Sequence, residues 1–144
     1  MIDTATRRAI EADCARQINL YALLNDASDW EGVAALYHEQ GRMARPSTPD
    51  AFVEGRQAIL AAFLARPPRK SRHVVGNIVV DALDGDNATA SSCIVLYQGL
   101  AAEPGEMPKM APGQPLVGGF RDRLLRVGDD WLFAERVGWL DFAP

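Results

Sequence analysis

The sequence contains few of the residues that build metal centres, disulfide frameworks and membrane spans. Two histidines and two cysteines occur in 144 residues, and neither pair has the Cys-x-x-Cys or His-x-x-x-His spacing of a metal site. No apolar run approaches the roughly 20 residues of a membrane helix. The polar N-terminus carries no signal-peptide segment. We therefore expect no metal, no membrane association, a cytoplasmic location and reduced core thiols at Cys14 and Cys93.

Signatures of nucleotide, ester and nucleic-acid chemistry are missing as well. Lys and Arg number 15 against 19 Asp and Glu, and the resulting net charge of −4 argues against a nucleic-acid partner. Gly118-Gly119 lies within a strand pattern and not in a phosphate loop. Ser91-Ser92 lacks the Gly-x-Ser-x-Gly setting of a serine hydrolase. A small basic cluster at residues 66–72 is interpreted as a solvated loop after a helix and not as an anion site.

What remains is an ordinary globular composition, 48% hydrophobic and 24% charged, which predicts one domain over residues 1–144. The first third predicts three helices. The first can be capped by Thr6 and ends near Asp26, and its apolar face recurs every four residues. The second follows a cap at Ser28 or Asp29, carries Tyr37 on its apolar face and ends at Gly41. Residues 42–52 form a strand–loop–strand piece, and residues 55–64 form the third helix.

Four long strands follow, at residues 72–83, 88–100, 116–127 and 131–141. Turn sequences after the first and third strands favour hairpins. Three helices followed by an antiparallel meander predict an α+β fold. Residues 101–115 contain four prolines and are expected to form a mobile or ligand-covering arm. Because the strands are apolar on both faces and helices cover one, the other face is expected to pack in a homodimer or higher homo-oligomer.

Asp26 and His73 are the candidate catalytic pair. His73 opens an apolar strand and shares a face with Val75, Asn77 and Val79 if the strand is regular. A carboxylate near a helix C-terminus is disfavoured by the helix dipole, so Asp26 needs a stabilising partner. If the two side chains meet, the carboxylate orients the imidazole for proton abstraction, and His73 should titrate above the reference value near 6.5.

Structural alternatives stand beside each candidate. His73 can be a core histidine bonded to a carbonyl, and Asn25 can point inward in place of Asp26. Arg136 shares a strand face with Leu132, Ala134, Gly138 and Leu140, opposite Trp131 and Phe133, where it either pairs with an acid at the sheet edge or points into a pocket. Tyr21 and Tyr97 are candidate pocket hydroxyls or core residues. His38, at a helix end, is expected to be exposed and structural.

Several segments together resemble the SnoaL-like branch of the nuclear transport factor 2-like superfamily. They are Tyr21-Ala-Leu-Leu-Asn-Asp-Ala-Ser-Asp-Trp30, Val33-Ala-Ala-Leu-Tyr37, Glu54-Gly-Arg-Gln-Ala-Ile59, Arg72-His73 and Trp131-Leu-Phe-Ala-Glu-Arg136. The resemblance implies a cone-shaped α+β barrel, in which three N-terminal helices pack on a strongly curved, mostly antiparallel sheet around an apolar pocket. The superfamily holds dehydratases, isomerases, cyclases and binding proteins, so the fold alone leaves the activity open.

The resemblance also implies roles for single residues. In scytalone dehydratase and hexachlorocyclohexane dehydrochlorinase, a catalytic Asp and His occupy the positions of Asp26 and His73, and a pocket arginine of the dehydrochlorinase aligns with Arg136. This chain departs from them by lacking a second pocket histidine on the following strand. It also has Asn25 where the dehydratase has tyrosine and Tyr21 where the dehydrochlorinase has lysine.

The predicted function is therefore a cofactor-independent lyase or isomerase, dehydratase-like, acting on a small hydrophobic cyclic substrate. Its catalytic residues are Asp26 and His73. The substrate-binding residues are predicted to be Tyr21, Asn25, Tyr97 and Arg136. Two alternatives stand beside it: a non-catalytic small-molecule-binding or assembly subunit with the same fold, and a polyketide-cyclase or epoxide-hydrolase-like enzyme in which Asp26 is the base.

Overall fold

A computed structural model describes residues 1–144 and contains three helices and six strands. The elements are α1 (Thr4–Asp26), α2 (Trp30–Ala35), β1 (Tyr37–Ala44), β2 (Phe52–Glu54), α3 (Arg56–Leu64), β3 (Ser71–Ala82), β4 (Asn87–Gln98), β5 (Leu116–Val127) and β6 (Asp130–Leu140). The strands form one sheet in the order β2-β1-β6-β5-β4-β3. Only the β1–β6 pair is parallel. The predicted α+β class with a curved, mostly antiparallel sheet is confirmed.

Helix α1 lies across the inward face of the sheet and supplies one wall of the core. Its N-cap is Asp3 and not Thr6, because the Asp3 carboxylate accepts a hydrogen bond from the Thr6 backbone N–H at 2.8 Å. Its buried face is formed by Ile10, Cys14, Ile18, Tyr21, Ala22 and Asn25. The last residue of the helix, Asp26, comes to lie beside the start of β3. No helix is both long and apolar enough to cross a membrane.

The second helix is shorter than the sequence predicts. It is capped by Asp29 as expected, but it ends at Ala35, and residues 37–44 form a strand beside β6. Gly41 explains the difference, since a Cβ atom there would lie 2.7 Å from the Phe133 carbonyl oxygen. The glycine therefore permits the close approach of two strands and is not the end of a helix.

Strand β3 contains a bulge that reverses its faces part of the way along. Its register against β4 shifts between Gly76 and Val79, and Asn77 has a φ of 50°. Ahead of the bulge, Val75 lies on the inward side with His73, whereas Val79 beyond it is 57% exposed. The prediction that His73 shares its face with Asn77 and Val79 is therefore wrong, because it assumed a regular strand.

A second bulge has the same effect in β6. The register between β5 and β6 shifts between Arg123 and Leu124, which leaves Ala134 as the extra residue. Phe133 and Arg136 are consequently both buried on the inward side, although strict alternation would place them on opposite faces. The predicted assignment of these two residues to different faces is wrong for this reason.

The two cysteines differ in their surroundings. Cys14 is completely buried in α1, while Cys93 is exposed on the outer side of β4. The prediction of a core thiol is correct for Cys14 and wrong for Cys93. Burial raises the pKa of Cys14 to about 12, with smaller contributions from the charges of Asp13 and Asp122, so this thiol is protonated at neutral pH.

Candidate active site

A cavity of about 330 Å³ lies between α1 and the inward face of the sheet. Of its 24 lining residues 13 are hydrophobic, and none is an aspartate or glutamate. Polar side-chain atoms come from two of the hydrophobic residues, Tyr21 and Tyr37, and from Asn25, Arg45, Ser47, Arg66, Arg69, Ser71, His73, Gln98 and Arg136. Its size and mostly apolar lining suit a small hydrophobic molecule that is oriented by a few polar groups.

The structure brings Asp26 and His73 into direct contact at the wall of this cavity. The His73 Nδ1 atom lies 2.6 Å from Asp26 Oδ1, and the His73 backbone N–H donates to Asp26 Oδ2 at 2.8 Å. The hydroxyl of Ser71 donates to Oδ1 at 2.9 Å. Three donors from the start of β3 thus hold the carboxylate at the end of α1, which supplies the partner that an acid at a helix C-terminus needs.

This arrangement determines which nitrogen of His73 carries the proton. An ionised carboxylate only accepts hydrogen bonds, so Nδ1 is the protonated nitrogen in the neutral imidazole. The other nitrogen, Nε2, has a free lone pair and no partner in the protein. His73 lines the cavity and Asp26 does not. The imidazole can therefore reach a ligand, and the carboxylate acts through it.

The pKa of His73 lies below its ordinary value of 6.5. Burial is the main cause, the hydrogen bond and charge of Asp26 oppose it, and the positive charges of Arg66 and Arg136 lower the pKa further. The expectation of an upward shift is wrong, because it counted the carboxylate and omitted burial and the two arginines. The imidazole is consequently neutral near pH 7, which is the form that can accept a proton.

Arg136 both pairs with an acid and points into the cavity, the two roles that the sequence left as alternatives. It pairs with Asp122, with Nε 2.8 Å from Oδ1 and Nη2 3.3 Å from Oδ2, and the two side chains are 2% and 0% exposed. Asp122 lies on β5, an interior strand, and not at a sheet edge. The guanidinium also lines the cavity and lies 4.0 Å from the centroid of Phe120. Its Nη1 atom has no hydrogen-bond partner, so it can donate to a ligand.

Tyr21 and Asn25 both line the cavity on the α1 side. The hydroxyl of Tyr21 lies 3.0 Å from that of Tyr37, and burial raises the pKa of both phenols. Both hydroxyls are therefore neutral. One donates to the other, and the accepting hydroxyl keeps its own O–H free for a ligand. Asn25 is 6% exposed and its side chain has no hydrogen-bond partner. It lies beside the Asp26–His73 pair and does not replace Asp26 in it.

Tyr97 lies outside the cavity, so its predicted place as a pocket hydroxyl is wrong. Alternation along β4 turns Ile94, Leu96 and Gln98 inward, so Tyr97 faces the opposite side. There it lines a separate shallow depression with Met110. The second histidine, His38, is partly exposed on β1 and does not line the cavity.

The proline-rich residues 101–115 do not cover the cavity either. The Leu100 N–H donates to the Lys109 carbonyl at 2.8 Å, and the Ala111 N–H donates to that of Gln98 at 2.8 Å. The segment thus folds back beside the end of β4, and none of its residues lines the cavity. The expectation of a ligand-covering arm is wrong because these hydrogen bonds hold residues 100–111 beside the end of β4, away from the cavity.

Several residues that line the cavity are not among those that the sequence predicts for the site. Arg66 and Arg69 belong to the basic cluster that was interpreted as a solvated loop, yet both line the cavity, together with Arg45. For Arg66, burial together with the charge of Arg45 lowers the pKa to about 10. Asp122 was also missed, although an acid between Phe120 and Leu124 at period two is the sequence signal that could have found it.

The structure also holds no group of three or more His, Cys, Asp or Glu side chains that could bind a metal ion.

Comparison with known proteins gives a family match over most of the chain. Residues 6–137 match the family model described as SnoaL-like domain. No curated protein matches the chain.

Solved structures extend this likeness. A candidate scytalone dehydratase from Novosphingobium aromaticivorans superposes with a TM-score of 0.80 at 21% identity, covering 97% of this chain and 89% of that one. A hexachlorocyclohexane dehydrochlorinase superposes with a TM-score of 0.79 at 11% identity, covering 97% and 90%. A variant of a function-unknown protein from Mycobacterium tuberculosis is 28% identical, with a TM-score of 0.69 and coverage of 93% and 70%. At the two lower identities, the likeness shows the fold alone.

Proposed function

Because this chain belongs to the SnoaL-like domain family, and because a neutral imidazole backed by a carboxylate faces its apolar cavity, we propose that it is a cofactor-independent lyase or isomerase of the dehydratase type. Its substrate is a small hydrophobic, cyclic molecule with an acidic C–H bond beside a carbonyl group. The observation that carries the proposal is the 2.6 Å contact between Asp26 Oδ1 and His73 Nδ1, which leaves Nε2 free as a base.

The proposed first step is proton transfer from carbon to His73 Nε2. The C–H electron pair becomes part of an enolate, and His73 becomes an imidazolium. Asp26 stabilises this cation through the Nδ1–H bond and does not itself take the proton. General-base assistance of this kind contributes about 10²–10⁴-fold to the rate. Asp26 is thus a positioning residue, and His73 is the catalytic one.

Charge that develops on the carbonyl oxygen needs donors within the cavity. Arg136 offers Nη1, Tyr21 offers a neutral hydroxyl and Asn25 offers an amide, and all three line the cavity. Donors that are already in place in a site of low polarity stabilise an oxyanion more than water does. Asp122 supports this role because it holds the guanidinium in one orientation.

Elimination of water completes the reaction in a balanced way. The enolate re-forms the carbonyl and a carbon–carbon double bond as the β-hydroxyl group leaves. The proton held by His73 Nε2 protonates the leaving hydroxyl, so the products are an unsaturated carbonyl compound and water. Return of the same proton to a different carbon atom would instead give an isomerase. The elimination is the preferred form of the proposal.

The alternative of a polyketide-cyclase or epoxide-hydrolase-like enzyme, with Asp26 as the base, has less support. Its Oδ1 already accepts from His73 Nδ1 and Ser71, and its Oδ2 from the His73 backbone N–H. A base must reach the proton that it removes, and Asp26 does not line the cavity. The non-catalytic binding alternative expected the two side chains to be apart, or Asn25 to point inward in place of Asp26. Their 2.6 Å contact does not favour the first, and Asn25 lines the cavity without displacing Asp26 from that contact.

The two histidines allow a matched test of the proposal. We expect the protein to accelerate exchange of the α-hydrogens of the bicyclic ketone 2-tetralone in D₂O, followed by proton NMR. The His73→Gln variant should lose this acceleration by about 10²–10⁴-fold, since a glutamine amide is not a base. The His38→Gln variant should retain it, because His38 does not line the cavity.

Circular dichroism and thermal unfolding would show that both variants fold. Equal exchange rates for His73→Gln and the unmodified protein would exclude His73 as the base. Loss of exchange in Asp26→Asn alone, with His73→Gln unaffected, would favour the alternative in which Asp26 is the base.

A further inference from the structure

Three arginines without acidic partners line one end of the cavity. Arg45 follows β1, and Arg66 and Arg69 follow α3. No ion pair of the protein includes any of them. By contrast, the two cationic or basic groups deeper in the cavity each have a carboxylate behind them, Asp122 for Arg136 and Asp26 for His73.

This concentration of charge runs against the composition of the chain. The protein has a net charge of −4, yet no acidic residue lines the cavity. Like charges held together repel one another, and each of Arg45 and Arg69 lowers the pKa of Arg66. Such an arrangement costs free energy in the empty protein and is compensated when an anion binds.

The guanidinium groups are held in place by uncharged contacts. Arg66 lies 4.4 Å from the centroid of Phe63, whose ring stacks on Trp30 with the centroids 5.4 Å apart. Arg45 donates from Nη2 to the Ala62 carbonyl at 3.0 Å. The Nε atom of Arg45 is buried without any hydrogen-bond partner. A buried donor without a partner is costly, so the hydrogen bonds of Arg45 are not all satisfied within the protein.

We propose that the substrate carries an anionic oxygen group, a carboxylate or a phosphate ester, which Arg45, Arg66 and Arg69 bind at the mouth of the cavity. The apolar body of the substrate then extends inward to His73. This inference deepens the proposed function and rests on it for the identity of the reacting end. The anchoring itself depends only on the three arginines.

The burial of the arginines indicates that the anionic group binds at the mouth of the cavity and that the apolar body points inward. Arg69 and Ser47 are exposed, Arg45 and Arg66 are half-buried, and Arg136 is buried. The three arginines therefore lie at the open end. Arg66 and His73 line the same cavity of about 330 Å³, so one small molecule can reach both side chains.

Binding of naphthalene probes tests the anchor without requiring turnover. Isothermal titration calorimetry would compare 2-naphthoate and 2-naphthyl phosphate with the neutral 2-naphthamide. We expect at least one anionic probe to bind about 10- to 100-fold more tightly than the amide, as for charge-assisted hydrogen bonds. The tighter of the two anions identifies the carboxylate or the phosphate ester as the natural group.

Variants then locate the anchor. Arg66→Met and Arg45→Met should remove most of the preference for the anion while retaining the apolar stem of the side chain. Lys70→Met is the matched control, since Lys70 belongs to the same basic segment but does not line this cavity, and it should keep the full preference. Arg69→Met, at an exposed position, should also weaken the preference for the anion, and it replaces either of the two half-buried variants if that variant fails to fold.

Equal affinity for the three probes, or a preference that Lys70→Met removes and the arginine variants keep, would overturn the proposal. The outcome is separate from that of the exchange assay. His73→Gln should still bind the anionic probe in preference to the amide even if His73 proves not to be the base.

Discussion

His73 is buried deeply enough to stay neutral near pH 7 and exposed enough to meet a ligand. Its side chain is 15% exposed, while that of Asp26 behind it is 5% exposed. Burial lowers the pKa of the imidazole and Asp26 raises it, so the two effects leave it ready to accept a proton at neutral pH. The carboxylate is thus more useful for orientation and for stabilising the imidazolium than for making His73 a strong base.

The pH dependence of catalysis should show how burial and the charge of Asp26 together set the pKa of His73. The folded pKa of His73 lies below 6.5, so the midpoint of the acid limb of kcat/KM should lie below pH 6.5, where the free base becomes protonated. Asp26→Asn removes the charge that raises this pKa. We therefore expect its acid limb to lie at still lower pH, with kcat reduced about 10²–10⁴-fold.

Measurement of kcat/KM between about pH 4 and 9 for both proteins checks this prediction. A simple structural role for Asp26 would lower the amount of folded protein and leave the position of the acid limb unchanged. An acid limb that moves to higher pH in Asp26→Asn would contradict the account of the His73 pKa.

Single residues differ in how well the sequence could reveal them. Asp26 ends a helix against its dipole and His73 opens an apolar strand, but the resemblance to SnoaL-like proteins was needed to predict the two as a pair. Arg66 could not be predicted, because its place in the cavity depends on the path of the chain after α3, which local pattern does not determine. Tyr97 was misplaced because nothing in the alternation of β4 says which of its two faces is turned inward.

At the scale of elements, the two bulges decide which residues face the cavity. Each adds one residue to a strand and reverses the alternation beyond it. In β6 this places Arg136 on the inward side with Phe133, whose ring centroid lies 4.7 Å from the guanidinium carbon. A period-two pattern cannot anticipate a bulge, so the faces predicted beyond Asn77 and Ala134 were wrong while the strands themselves were found.

The bulge in β3 depends on the left-handed backbone of Asn77, which has a φ of 50°. Asparagine and glycine adopt this conformation readily, and β-branched residues do not. We expect Asn77→Val to lower the free energy of unfolding by about 2 kcal/mol and Asn77→Gly by less than about 1 kcal/mol. Urea denaturation with a shared m-value would measure both changes.

Both variants remove the same side-chain contact, the weak 3.8 Å bond to Cys93. Their difference therefore isolates backbone strain. Equal stabilities for the valine and glycine variants would show that the bulge does not need a left-handed residue.

At the scale of the whole molecule, the order of most helices and strands can be predicted from the sequence. The strand β1 at residues 37–44 cannot. Hairpin turns, the third helix and the α+β class follow from local signals, and the family match confirms the SnoaL-like resemblance. The strand at residues 37–44 was assigned in part to a helix, because its pairing with β6 joins segments far apart in the chain. Such a contact leaves little local signal.

The outer face of the sheet carries an apolar row that α1 cannot cover. Register places Val74 beside Val95 and Val95 beside Val117, on the side opposite the buried Ile94. In the single chain Val74 is 54% exposed. A row that crosses three strands is a continuous apolar surface, and contiguous surfaces of this kind mark interfaces. We propose that a second copy of the chain covers it.

Charge placed in this row should separate the two copies. Val95→Glu would bury two carboxylates at a symmetric interface, since a two-fold axis presents the same residue twice. Light scattering after gel filtration should then give about the 15.7 kDa of one chain, and twice that mass for the unmodified protein. Val127→Glu, at an exposed valine in the last hairpin, should keep the larger mass. A monomeric unmodified protein at about 100 μM would contradict the proposal, because an interface of ordinary size, about 800 Å² per partner, holds at that concentration.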